Sequence, residues 1–170
     1  MYQLVDMFTI FHFAFLTQRT TSEHYWSEMW NSQKIAAWNG LAFERVCMSH
    51  IPQIKEALRI GGIHTEYFSW RKAPDKTDAA NAKKNKGAQI DLVIERADQM
   101  THICEMKFTQ NEFHLTQTEY DNLRHRMSSY RTETETKNGL LLTIITTEQP
   151  ARSAHNTVID KVVLLDDLFQ

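Results

Sequence analysis

The chain has 170 residues, of which 42% are hydrophobic and 24% are charged, and its formal net charge at pH 7 is −2. This length suits one main domain with a short appendage, and the hydrophobic fraction is sufficient for a buried core. The near-neutral charge excludes a protein that binds nucleic acid through an overall basic surface, so such a contact needs a local patch. The cysteines, Cys47 and Cys104, lie outside any zinc-binding or CxxC spacing, and we expect two buried, reduced thiols.

The N-terminal segment is rich in phenylalanine. Phe8, Phe11 and Phe15 recur at helical spacing, which predicts a helix from about Met7 to Gln18. The apolar part is too short to cross a bilayer and lacks the basic residues and cleavage site of a signal peptide. We therefore expect a cytoplasmic protein that does not contact membranes.

A second helix is predicted from Ala37 to Leu58, and Pro52 should kink or divide it. Glu44 then falls in its first turns, where a carboxylate is favourable near a helix N-terminus. A strand is predicted from Ile63 to Arg71.

The only break in composition covers residues 72–87, which are rich in lysine, alanine and asparagine and have no apolar anchor. This pattern is typical of a long mobile loop between two strands. Lys83, Lys84 and Lys86 make it the most basic patch of the chain. The loop is either a solvated surface or a contact for nucleic-acid phosphates.

The most informative stretch runs from Gly87 to Lys107, and it predicts two strands joined by a polar turn at residues 97–99. Asp91 interrupts the apolar run of the first strand, and a lone carboxylate there is costly unless it is paired or binds a cation. Glu105 and Lys107 are two residues apart, so they share one face of the second strand. In a hairpin Asp91 would lie beside Glu105 on that face, giving a candidate Mg²⁺ site.

The last third of the chain alternates helix and strand. Thr116 should cap a helix from Gln117 to about Arg131, followed by strands at residues 140–146 and 158–165. The order strand, helix, strand favours a right-handed parallel crossover. We expect the basic residues at 124–126 to form an exposed helix face and the acids at 166–167 to be a cap.

Asp91, a spacer and then Glu105-Met106-Lys107 resemble the D…(E/D)xK signature of the PD-(D/E)XK nuclease superfamily. Four segments in order, at 38–44, 89–94, 104–108 and 165–169, resemble the nuclease-like domain at the C-terminus of archaeal-type AAA ATPases. The resemblance implies an α/β fold, a restriction-endonuclease-like mixed sheet with flanking helices and the core order αβββαβ.

The same resemblance implies a domain organisation. Residues 36–170 would form the nuclease-like domain, and residues 1–35 a short helical appendage that resembles the tail of a winged-helix segment. The parent architecture would then begin before Met1, as in a fragment or a truncated gene. No phosphate-binding GxxxxGK[ST] loop occurs in the sequence, so this chain would itself not be the ATPase.

The implied reaction is metal-dependent hydrolysis of phosphodiester bonds in nucleic acid, DNA being the expected substrate. Asp91, Glu105 and the carbonyl of Met106 would hold Mg²⁺ or Mn²⁺, and Lys107 would orient or help deprotonate the attacking water. Glu44 matches the position of an acid on the first core helix and would bind a second ion or a bridging water. Gln89 shares the face of Asp91 and would contact the water or a phosphate.

Two alternatives remain open from the sequence. The first is a catalytically silent nuclease-like module that binds DNA or regulates a partner such as an AAA-type ATPase. The second is a generic α/β domain in which Lys107 forms a structural salt bridge with Asp91 or Glu105.

Overall fold

The computed structural model describes residues 6–17, 22–74 and 86–170. Its α-helices are α1 (Met7–Phe11), α2 (Tyr25–Met29), α3 (Gln33–Ser49), α4 (Ile51–Ala57) and α5 (Gln117–Thr134). Its strands are β1 (Thr65–Lys72), β2 (Ala88–Arg96), β3 (Met100–Lys107), β4 (Gly139–Thr146) and β5 (Lys161–Leu164). A π-helix continues α1 at His12–Leu16, and 3₁₀ helices lie at His155–Val158 and Leu165–Phe169.

The five strands form one mixed sheet in the order β1-β2-β3-β4-β5. The pairs β1–β2 and β2–β3 are antiparallel, whereas β3–β4 and β4–β5 are parallel. Helix α5 connects the parallel strands β3 and β4, because parallel neighbours cannot be joined by a tight turn. The α/β prediction with flanking helices and a helical N-terminal part is therefore confirmed.

The helix predicted from Ala37 begins earlier, at Gln33, where the hydroxyl of Ser32 accepts a hydrogen bond from the N–H of Ile35 at 3.3 Å. Glu44 consequently lies about three turns into α3, and its predicted place in the first turns is wrong. The predicted division is confirmed, since α3 ends before His50 and Pro52 sits in the first turn of α4.

Thr116 caps α5 as predicted. Its hydroxyl accepts a hydrogen bond from the N–H of Glu119 at 3.2 Å, and the Glu119 carboxylate accepts one from the N–H of Thr116 at 2.8 Å. This reciprocal pair satisfies two main-chain donors that would otherwise lack helical partners. The helix ends at Thr134, three residues beyond the predicted Arg131. Glu135, which follows it, adopts a left-handed conformation with φ of 52°.

The central strands β2, β3 and β4 are largely buried on both faces of the sheet, whereas the edge strand β1 is mostly exposed. Helices α3 and α4 cover one face, where a cluster of aliphatic, aromatic and sulfur-containing side chains includes Phe43, Cys47, Ile54, Leu92, Cys104, Met106 and Val163. Helix α5 covers the other face, where Leu123 and Tyr130 pack against β2, β3 and β4. Both cysteines are free and buried, as expected.

An aromatic cluster holds the N-terminal helices together. Phe11 and Phe15 pack against Trp26 and Trp38 with ring centroids 5.4–5.5 Å apart. Phe8 points outward and is 69% exposed. Within residues 6–17, 22–74 and 86–170, no helix has the length and apolar character that spanning a bilayer requires.

Candidate active site

An irregularity in β2 sets the position of Asp91. Phe68 of β1 pairs with Val93, and Trp70 pairs with Ile90, so one β1 residue lies opposite the two residues Asp91 and Leu92. This is a β-bulge, which places an extra residue in one strand and redirects its side chains. Ile90 and Val93 consequently pack in the same cluster under α5 although they are three residues apart.

Asp91 also lies where β2 and β3 cease to pair. The last paired residues of the hairpin are Leu92 and Cys104, so Asp91 and Glu105 are the next residues of the two strands. Burial raises the pKa of Asp91, and the guanidinium of Arg126 opposes this rise, as do the main chain of Met106 and the side chain of Gln89. Asp91 and Glu105 are therefore close to each other, as predicted. They meet at a bulge, however, and not on the face of a regular hairpin.

Glu105 and Lys107 both face α5, as the two-residue spacing predicts. Glu105 accepts a hydrogen bond from Arg126, and Lys107 donates one to Glu119, so each is held in an ion pair with α5. Burial raises the pKa of Glu105 to about 7; Arg126 opposes the rise and Asp91 adds to it. The Lys107 ammonium also lies 4.8 Å from the centroid of the Phe113 ring.

Glu44 approaches the same acids from α3. Burial raises the pKa of Glu44, and the negative charge of Asp91 raises it further, whereas Arg45 lowers it. Glu44, Asp91 and Glu105 are thus electrically coupled through Asp91. Within the described part of the chain, no three His, Cys, Asp or Glu side chains are grouped closely enough to hold a metal ion. Charges interact over distances longer than a metal–ligand bond, so the three acids can influence one another's pKa without lying close enough to share a metal ion.

The remaining predicted site residues divide into three kinds. Met106 is buried on β3 among the α3-facing core residues, and Gln89 is exposed beside Asp91. Lys83 and Lys84 lie outside the described residues. Lys86 donates a hydrogen bond to Asn122 of α5 at 2.7 Å, so the end of the basic loop lies against the helix that covers the site.

Two residues of the site were missed by the sequence reasoning. The sequence predicts an exposed helix face for Arg126, and this prediction is wrong, because its side chain is only 30% exposed and pairs with Glu105. Glu119 was not singled out, and it pairs with Lys107 while capping α5. The seven-residue spacing of 119 and 126, two helical turns, is the signal that places both on one face.

A cavity of about 70 Å³ lies between β3 and α5. It is lined by the two ion pairs together with Asn122, Leu115, Leu123 and Ile144. Thr146 is paired with Lys107 across the parallel strands, and its buried hydroxyl has no hydrogen-bond partner among the described residues. A cavity of this size holds a water or two, and an unpartnered buried hydroxyl costs free energy unless a polar group reaches it.

No family model matches the chain, and no curated protein matches it significantly. A solved structure described as a protein of unknown function, AF1548, is similar to this chain with a TM-score of 0.47 and 15% sequence identity. The similarity covers 72% of this chain and 64% of AF1548, so it spans less than two thirds of that protein.

Proposed function

We propose that the chain is a metal-dependent nuclease domain that hydrolyses phosphodiester bonds in DNA. The observation that supports this proposal best is that the charges of Asp91 and Lys107 both act on Glu105 where β2 and β3 diverge. Two partly buried carboxyl groups with raised pKa values are an unfavourable arrangement for a purely structural role. Perturbed carboxyls of this kind are typical of functional sites.

The donor set fits a hard divalent cation. Asp91 and Glu105 offer carboxylate oxygens, and the main-chain carbonyl of Met106 is a third oxygen nearby in sequence. Their burial also favours binding, because a cation stabilises the charged form that burial disfavours. The buried hydroxyl of Thr146 would provide a further polar group for an ordered water beside Lys107. The ion would be Mg²⁺ or Mn²⁺, and when bound it would supply Lewis-acid polarisation of the phosphate and a more acidic water.

The protein's own side chains would supply position and charge. The Lys107 ammonium would orient the attacking water and stabilise charge that develops on the phosphate oxygens. Glu44 would hold a bridging water on the α3 side of Asp91. Gln89, whose side chain already acts on Asp91, would contact the water or phosphate.

The basic loop would extend the phosphate contacts along the substrate. Lys86, at the end of the loop, donates a hydrogen bond to Asn122, which also lines the cavity between β3 and α5, so this end of the loop lies next to the site. Lys83 and Lys84 would follow the phosphate backbone in this role. The exposed Phe8 and Phe13 are candidates for contact with an AAA-type ATPase module, in a complex located in the cytoplasm.

A second function is favoured by a separate observation. Glu105 and Lys107 are both engaged by side chains of α5, an arrangement that also suits a silent module in which these groups hold the helix. Such a module would bind DNA without cutting it. The other alternative, a structural salt bridge of Lys107 with Asp91 or Glu105, is not formed within the described part of the chain, where Lys107 pairs with Glu119 instead.

The experiment that separates the two functions is a cleavage assay. Plasmid and single-stranded DNA are incubated with the full chain in Mn²⁺, in Mg²⁺ or in chelator. A nuclease cuts only with the metal, and Asp91→Asn or Lys107→Gln removes at least 100-fold of the rate, in line with the loss of a charge-stabilising group. Asp98→Asn, in the exposed hairpin turn, is the matched control and should cut normally.

DNA retardation in a gel without cutting would favour the silent module instead. Cutting that persists undiminished in Asp91→Asn would refute the assigned roles.

A further inference from the structure

Helix α5 presents one stripe of polar residues to the candidate metal site. Glu119, Asn122 and Arg126 lie on the same side of the helix, at spacings of three, four and seven residues, and all line the cavity against β3. Two ion pairs therefore join β3 to α5. In one of them β3 supplies the positive group, Lys107, and in the other it supplies the negative group, Glu105. The positive member on α5 is Arg126.

Arg126 occupies the electrostatic position that a bound cation would take. Its guanidinium donates to Glu105, and it is the strongest favourable charge acting on Asp91 as well as on Glu105. One cation thus serves both acids. The Arg126 side chain is 30% exposed and lines the cavity.

A guanidinium and a divalent ion repel each other, and both need the same carboxylate oxygens. We propose, on the basis of the proposed function, that Arg126 is the resident counter-ion of the Asp91–Glu105 pair and that a divalent cation displaces it. The displaced guanidinium would remain at the cavity that Lys107 and Asn122 also line, where its planar fork suits a phosphate group. Arg126 would thereby link occupation of the metal site to substrate binding.

This role differs from that of an ordinary structural salt bridge. A structural pair stabilises the fold equally with and without metal, whereas a resident counter-ion competes with the metal. Removing a competitor should tighten metal binding, although it destabilises the metal-free protein by leaving two acids without their cation. The two changes have opposite directions, so they are separable.

The test uses the full chain with Arg126→Gln, Arg126→Lys and, as the matched control on the exposed side of α5, Arg124→Gln. The Mg²⁺ affinity is measured by calorimetry over a range of pH, and variants are compared at the alkaline plateau, where proton competition is absent. We expect Arg126→Gln to bind Mg²⁺ roughly tenfold more tightly than the wild type, and the control to be unchanged. Arg126→Lys keeps the positive charge, so its Mg²⁺ affinity should lie between those of the wild type and Arg126→Gln.

Thermal unfolding with and without saturating Mg²⁺ provides the second readout. Mg²⁺ should raise the midpoint of Arg126→Gln by more than it raises that of the wild type. Should Arg126→Gln fail to fold, Arg126→Lys gives the same comparison with a smaller effect. A third readout is the affinity for a short duplex, which Mg²⁺ should increase in the wild type but not in Arg126→Gln.

The possible results separate this inference from the proposed function. Wild-type binding of Mg²⁺ with equal or weaker binding by Arg126→Gln overturns the counter-ion role alone. No Mg²⁺ binding by the wild type or by any variant overturns the proposed function and this inference together. Binding by Arg126→Gln but not by the wild type supports the counter-ion role.

Discussion

Replacing Glu105 by glutamine should change how the stability of the metal-free protein depends on pH. Burial raises the pKa of Glu105 from 4.5 to about 7, so the folded protein holds this proton more tightly than the unfolded chain does. The contribution of Glu105 to stability is therefore fully present below pH 4.5 and is lost as the pH rises through 7. A shift of this size corresponds to about 3 kcal/mol in the free energy of unfolding.

A buried histidine acts in the opposite direction over nearly the same pH range. Burial lowers the pKa of His102 from 6.5 to about 4, and the charge of Arg96 adds to the effect. Because arginine only donates, Arg96 donates to Nε2 at 3.2 Å, and Nδ1–H donates to the hydroxyl of Thr143 at 2.8 Å. The neutral ring stabilises the fold above pH 6.5, and about 3 kcal/mol is lost as the pH falls through 4.

In the wild type, the opposite effects of Glu105 and His102 on the pH dependence of stability therefore largely cancel. The free energy of unfolding of Glu105→Gln should rise relative to that of the wild type by about 3 kcal/mol between pH 4.5 and 7. His102→Gln should change in the opposite sense over pH 4 to 6.5.

The assay is urea unfolding in chelator, followed by tryptophan fluorescence at half-unit steps of pH. Glu148→Gln, at an exposed loop position, is the matched control. If the free energy of unfolding of Glu105→Gln changes with pH in parallel with that of the wild type across this range, the reasoning is refuted. Burial would then not disfavour the ionised form of Glu105.

Three further predictions concern the scaffold, and denaturant unfolding checks each of them. Ile54→Ala should cost about 2–5 kcal/mol, because Ile54 is completely buried between α4 and the sheet; an effect below 1 kcal/mol would mean that the core is not packed as described. Thr116→Ala should cost about 1 kcal/mol through the lost cap of α5, while Thr116→Ser should retain most of it. Gly87→Ala should destabilise the protein, because its Cβ would lie 3.0 Å from the main-chain oxygen of Lys72, and an unchanged midpoint would contradict that contact.

Much of the fold is accessible from local sequence patterns. The apolar runs of Gly87–Lys107, with the polar turn between them, and the capping hydroxyl of Thr116 identify β2, β3 and the start of α5 correctly. These features depend on residues close in sequence, where the physical preferences act directly. The last strand is shorter than predicted, because residues 155–158 form a 3₁₀ helix and β5 begins only at Lys161.

The details of the site depend on contacts between distant residues. The bulge at Asp91 and Leu92 breaks the two-residue period, and it is defined by pairing with β1 rather than by the sequence of β2. The pairing of Arg126 with Glu105 joins residues 21 positions apart and depends on the angle at which α5 crosses the sheet. The seven-residue spacing of 119 and 126 places both residues on one face of α5, but no local pattern identifies Glu105 as the partner of Arg126. The sequence pattern alone therefore predicts a solvated surface for the basic triplet at 124–126.

The central claim is that Asp91 and Glu105 jointly bind a divalent cation. The most direct test is a crystal structure of the protein with Mn²⁺, in which anomalous scattering locates the ion independently of the surrounding density. We expect one peak in contact with a carboxylate oxygen of each acid, at roughly 2.0–2.3 Å, with Arg126 moved away from Glu105. A structure at saturating Mn²⁺ with no peak there, and with Arg126 still paired to Glu105, would contradict it.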